Sequence, residues 1–201
     1  MQNKHITPAR RTSLELLNKI LVSNEPFEKI ILSSKKFLSL DDKDKRFTRL
    51  IITTVLRKLG QIDFIMNQFI KKGSIKKNNL KNIIRIGIAE LIFIKSARYA
   101  AINEAVETTK INYSNRLSKF TNAVLRNIDR DKEKLSSIIT DEMNYPSWLI
   151  EDWKQTWGTK QTKEIINYFQ KEPYLDISVA GEPKEMEKVV EGKIIYNKTL
   201  R

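Results

Sequence analysis

From Ile83 to Ile94 the chain reads Ile-Ile-Arg-Ile-Gly-Ile-Ala-Glu-Leu-Ile-Phe-Ile, with Arg85 and Glu90 as the only charges. The apolar pattern reaches back to Leu80. A helix that is apolar on nearly every side belongs at the centre of a bundle. The segments around it must then supply helices that cover it. This run falls short of the roughly 18 apolar residues that a membrane span needs, and nothing else in the chain comes closer. The first residues, Met-Gln-Asn-Lys-His-Ile-Thr-Pro, contain no apolar signal core. The cytoplasm is the expected location.

The flanking segments have the required periodicity. Thr7-Pro8 reads as an N-cap with proline at the first helical position, and Ala9, Ser13, Leu16, Leu17 and Ile20 share one face. This predicts a helix over 8–22. A second is expected from Pro26 to Phe37. A third is capped by Leu40-Asp41-Asp42 and turns Phe47, Leu50, Ile51 and Thr54 inward. Gly60 ends or kinks it, and Ile62–Ile70 continues as a helix. The segment 71–79 is a lysine-rich loop, the helix over 80–94 follows, and two more are expected near 101–112 and 116–129.

Beyond about residue 134 the pattern changes. Tyr145-Pro146-Ser147 is a turn and cap, and Trp148–Trp157 forms a helix that Gly158 can end. Leu149, Trp153 and Trp157 recur every four residues, as in a helix packed on a neighbouring domain. Residues 174–179 alternate as a strand does, 183–191 read as a short helix, and 193–196 as a second strand. The fold class is therefore mainly α. An all-helical bundle over 1–134 is followed by a short α/β segment over 135–201 that looks like the start of a larger domain.

Charge divides along the same line. Residues 1–130 hold 26 Lys and Arg against 11 Asp and Glu, a net +15, whereas residues 131–201 hold 11 against 13, a net −2. A folded region with that imbalance repels itself unless something anionic lies against it. Nucleic acid is the first expectation and an anionic membrane surface the second; a Lys-rich background composition is the plain alternative. The basic clusters are Lys4 and His5 with Arg10 and Arg11, then Lys45, Arg46 and Arg49, then the loop lysines Lys71, Lys72, Lys76, Lys77 and Lys81. Lys119, Arg126 and Arg130 project from the side opposite Leu117, Phe120, Val124 and Ile128, with Arg116 at its edge. Arginines on helices suit fixed phosphate geometry better than lysines on a loop. The expected RNA-binding residues are accordingly Lys4, Arg10, Arg11, Lys45, Arg46, Arg49, Lys119, Arg126 and Arg130. Phe27, Phe37, Phe47, Phe64, Phe69 and Phe93 fall on apolar faces, so no base-stacking platform is visible.

Five segments in order resemble NusB-like domains. Ala100–Lys110 (AAINEAVETTK) resembles an "INEAVE-x-AK" signature, and Phe120–Arg126 (FTNAVLR) the "FVNAVLR" segment after it. Ile83–Phe93 resembles the family's "LR-x-x-x-YELLF" helix. Leu40–Arg46 resembles its "LSDRDR" cap, and Val55–Asp63 its "VLRHLGRLD". Thr108 and Thr121 depart mildly from the pattern. The "VLR-x-LG" and "NAVLR" forms, with Tyr145–Leu149 resembling "HPSWL", are similar to the N-terminal domain of the RsmB/Sun/Fmu family of ribosomal RNA cytosine-C5 methyltransferases. Glu90, Glu104 and Arg85 are then candidates for a buried ionic cluster, and Asn103 and Asn122 for inter-helix hydrogen bonds.

The resemblance implies an RNA-binding module with small-subunit ribosomal RNA as partner. The alternative is a NusB-type transcription antitermination factor acting beside a small ribosomal protein. The methyltransferase chemistry adds a thiolate to C6 of cytosine, and this chain contains no cysteine. Its glycines, at 60, 73, 87, 158, 181 and 192, form no Gly-rich turn of the kind that holds a nucleoside cofactor. S-adenosylmethionine is thus expected only in a full-length relative, and this chain alone is expected to be inactive. No residue is assigned a catalytic or metal-binding role.

Overall fold

A computed structural model describes residues 6–71 and 73–201. The apolar run lies where its sequence requires. Helix α6 (Asn78–Ile88) buries Ile83, Ile84, Ile86, Gly87 and Ile88, and Ala89, Glu90, Leu91 and Ile92 are buried beyond it. The expected uninterrupted helix instead widens into a π-helical turn over Ala89–Ile94, ended by Lys95 in the left-handed region. Gly87 allows α8 to approach, since a Cβ there would lie 2.8 Å from the Leu125 side chain.

Around this axis pack α1 (Pro8–Ser23), α4 (Asp42–Arg57), α5 (Leu59–Phe69), α7 (Arg98–Asn112) and α8 (Asn115–Arg130). The expected 26–37 helix is two pieces, α2 (Phe27–Ser33) and α3 (Lys35–Leu38), because Ser34 leaves the helical region and caps the Phe37 amide. Asp41 caps α4 by accepting from the Asp44 amide at 2.7 Å. Ser114 caps α8 through the Leu117 amide. Thr7 precedes α1 with Pro8 at the first position, but its hydroxyl makes no cap bond and turns to Glu104 instead.

The division expected at 134/135 falls later. The chain separates into one compact unit ending at Glu151 and a second over Asp152–Arg201. Helix α9 (Lys132–Ile138) buries Leu135 in the first core. The 3-10 turn Asp141–Asn144 seats on α5, where Asn144 Oδ1 accepts from the Gln61 amide and Asp141 accepts from Lys58 Nζ, each at 3.0 Å. Gly60 is the contact point. A Cβ there would lie 1.7 Å from the Met143 carbonyl oxygen, so this helix start does not break but accepts a neighbouring backbone.

In the second unit, α10 (Ser147–Phe169, continuing from the first) is interrupted at Gly158, whose φ of 76° and ψ of 163° suit glycine alone. Trp153 stands between Trp157 and Phe169, with ring centroids 6.2 and 6.3 Å away. The expected β-α-β start contains one strand more. β1 (Ile177–Ser178), α11 (Pro183–Val190) and β2 (Ile194–Tyr196) are followed by β3 (Thr199–Leu200), which pairs antiparallel with both in the order β1-β3-β2. The arrangement is a split β-α-β.

Candidate nucleic-acid interface

Arg10 leaves the expected RNA-binding set. Its guanidinium donates to both Glu90 oxygens at 2.8 and 2.6 Å and to Glu104 Oε1 at 2.7 Å. It also lies over the Phe47 ring. Glu90 is wholly buried. Burial opposes the charge on Arg10, but the hydrogen bond and charge of Glu90, then the charge of Glu104, outweigh it and hold its pKa above the ordinary guanidinium value. Glu104 also accepts from the Thr7 amide and hydroxyl. The buried cluster therefore forms around Glu90 and Glu104 as expected, with Arg10 as its cation and not Arg85. Arg85 pairs bidentately with Asp63 at 2.7 Å and continues through Asn82 and Asn18 to Asn79. This chain of hydrogen bonds ties α5, α6 and α1 together.

The other expected cations are at the surface, in two places. Arg11 on α1 and Arg46 on α4 are exposed and make no ion pair among the described residues. Arg49 is exposed and stacks over Phe37, its guanidinium carbon 5.4 Å from the ring centre. Lys45 is half-buried, with Asp42 at 3.9 Å, too far for a hydrogen bond. Lys4 and Lys72 lie outside the described residues.

Helix α8 presents the second group. Ser118, Thr121, Val124, Leu125 and Ile128 are buried, so Arg116, Lys119, Ala123, Arg126 and Arg130 form an exposed crest at spacings of three and four. At 1.5 Å per residue the crest spans about 21 Å. Arg126 is held by the neutral Asn122 Oδ1 at 3.0 Å. Arg130 donates to Asn127 Oδ1 at 2.9 Å, with Asp131 3.6 Å away. The neutral Asn122 orients the Arg126 guanidinium without cancelling its charge, whereas Arg130 is partly offset by Asp131.

At the start of α8 the crest meets a groove of about 410 Å³. Ile75, Leu80, Leu117 and Phe120 form its apolar floor, and Lys76, Lys77 and Arg116 its rim. Lys77 Nζ lies 4.7 Å from the Tyr113 ring centre. Phe120 falls on the apolar face by spacing and reads as core. The structure leaves it half-buried in the groove. No sequence signal separates it from its buried neighbours, because the loop that opens the groove comes from 40 residues upstream. The loop lysines, ranked below the helical arginines from sequence, become part of the same surface as α8. An apolar floor with a cationic rim accepts an anionic chain bearing flat apolar groups, as single-stranded nucleic acid does. Among the described residues no cluster of carboxylates could hold a metal, and no helix is long and apolar enough to cross a membrane.

Comparison with known families matches residues 7–130 to the NusB family. The chain belongs to that family. It is 29% identical over 149 residues to a probable ribosomal RNA small subunit methyltransferase B of Synechocystis, covering 70% of this chain and 33% of that protein. To the protein of the same name in Bacillus subtilis it is 29% identical over 169 residues, covering 79% and 37%. The ribosomal RNA small subunit methyltransferase B of Erwinia tasmaniensis is 24% identical over 174 residues, covering 85% and 40%. The chain thus spans about a third to two fifths of the length of these relatives. Among solved structures, the antitermination factors NusB and NusE in complex with double-stranded RNA match with a TM-score of 0.54 at 22% identity, covering 61% of this chain and 94% of that one. NusB from Aquifex aeolicus matches at 0.52 and 24%, covering 69% and 93%. These likenesses show the NusB-like helical fold.

Proposed function

We propose that the helical unit binds single-stranded ribosomal RNA, as the RNA-holding module of a small-subunit ribosomal RNA cytosine-C5 methyltransferase acting in the cytoplasm. The observation that carries this reading is the exposed crest of Arg116, Lys119, Arg126 and Arg130 on α8 beside the Phe120 groove. The names of the relatives supply the substrate class. Arg11, Arg46 and Arg49 extend the cationic surface on α1 and α4.

The second unit does not fit S-adenosylmethionine. Its strand-to-helix turn, 179–182, contains one glycine, Gly181, and is not the Gly-rich turn that holds a nucleoside cofactor against the backbone. With no cysteine in the chain either, no methyl-transfer step is assigned to these residues.

The test is anisotropy titration of labelled single-stranded segments of small-subunit ribosomal RNA against the whole chain. With about five phosphate contacts, log K falls with log[salt] at a slope near −3.5. Changing Arg116, Lys119, Arg126 and Arg130 together to Ala lowers both affinity and slope. Binding that is flat in salt, or absent, refutes the reading. Salt-independent capture of a NusE-type ribosomal protein without RNA binding would favour an antitermination adaptor instead.

A further inference from the structure

A second groove, of about 420 Å³, opens between α7 and α8 on the opposite flank of the crest. Arg116, Leu117 and Phe120 face the first groove, whereas Asn122, Arg126 and Asp129 face this one. The helical repeat places those two sets on either side of α8. The walls from α7 are Tyr99, Ile102, Asn103 and Val106.

The donors and acceptors here have spare capacity. Asn122 uses its oxygen to hold Arg126, which leaves its amide hydrogens available. The Asn103 side chain makes no hydrogen bond among the described residues, so the expected inter-helix role passes to the groove. Arg126 uses only Nε on Asn122, leaving both terminal nitrogens. Arg98, exposed at the mouth, approaches Asp129 at 3.4 Å and offsets that carboxylate. Tyr99 is 71% exposed, and Ile102 and Val106 give an apolar base to the cleft.

An aromatic wall, an apolar base, two free amides and the Arg126 guanidinium form the donor set for one nucleotide, while Arg98 keeps Asp129 from repelling it. The ring takes the base by stacking, the amides meet its polar edge, and Arg126 meets its phosphate. The volume is within the range that holds a small ligand. We infer that the α7–α8 groove takes one unpaired nucleotide of the RNA, which crosses the crest of α8 from the Phe120 groove. This rests on the RNA-binding reading above. The crossing from Arg116 to Arg126 is ten residues of helix, about 15 Å, so one continuous strand reaches both grooves.

The experiment uses the whole chain and the same labelled RNA. Tyr99→Ala with Asn103→Ala is expected to weaken binding about tenfold with no change in salt slope, since neither residue is charged. Tyr99→Phe keeps wild-type affinity because stacking is retained. An alanine pair that binds as tightly as wild type overturns the second site and leaves RNA binding intact. A wild-type chain that binds no RNA overturns both. If the alanine pair melts early, photocrosslinking of 4-thiouridine RNA to wild-type chain decides: crosslinks to the peptide containing Tyr99 support the site. Crosslinks confined to the Phe120 flank exclude it.

Discussion

Replacing Arg10 by Met separates its structural role from an RNA-binding one. Among the described residues Arg10 is the sole cation hydrogen-bonded to Glu90, and the Glu90 side chain is 1% exposed. Its removal strands a buried carboxylate, which costs about 3–5 kcal/mol. Glu104 suffers less, because it retains the Thr7 amide and hydroxyl and is 14% exposed. For a unit of this size each kcal/mol lowers Tm by roughly 2–4 °C, so a fall of roughly 6–20 °C is expected. Urea melts followed by helical circular dichroism at pH 7 give the free energy directly. Arg10→Met with Glu90→Leu should recover most of the loss, because the stranded charge is gone and an apolar side chain fills its place. RNA affinity of the folded Arg10→Met protein should stay within twofold of wild type. A loss below about 1 kcal/mol, accompanied by tenfold weaker RNA binding, would refute the argument and return Arg10 to the RNA surface.

Three further outcomes are expected. Gly60→Ala drives a methyl into the Met143 carbonyl and should cost about 1–3 kcal/mol, whereas Gly87→Ala meets the movable Leu125 side chain and should cost less; comparative thermal melts rank them. Gly158→Ala forces a Cβ into a backbone conformation reserved for glycine and should destabilise the second unit by about 1–3 kcal/mol, measured by hydrogen exchange across 147–169. Asp176 accepts two hydrogen bonds from Arg201, at 2.8 and 3.0 Å, which hold its pKa below the ordinary 3.8. The stabilisation from this pair is present above pH 3.8 and is lost as pH falls through the depressed value. An NMR titration should show the low midpoint, and Arg201→Ala should return it to normal.

The parts legible in sequence are those governed by local rules. The apolar run at 83–94, the Asp41 cap, the Gly158 break and the crest of α8 all follow from spacing or backbone preference, and the structure contains each. The parts that were not legible depend on pieces of chain brought together from afar. Ser34 splits a helix through a capping bond that competes with continuation. Two-residue β3 is too short to alternate, and it exists only because β1 and β2 offer it two open edges. The boundary of the first unit moves from 134 to Glu151 because the 3-10 turn at Asp141–Asn144 finds Gly60 and Gln61 on α5.

Charge shows the division most clearly. Sequence alone determined that residues 1–130 have a net +15, that α8 has one basic face, and that the chain has no thiol to act as a nucleophile. Only tertiary structure decided which cations face solvent. Arg10 and Arg11 are adjacent and identical in type. One is held by carboxylates 80 and 94 residues away, and the other is exposed. Helical geometry turns successive side chains about 100° apart, so neighbours in sequence point in different directions. Which direction meets a buried carboxylate depends on how the helices pack, and that packing is a property of the whole bundle.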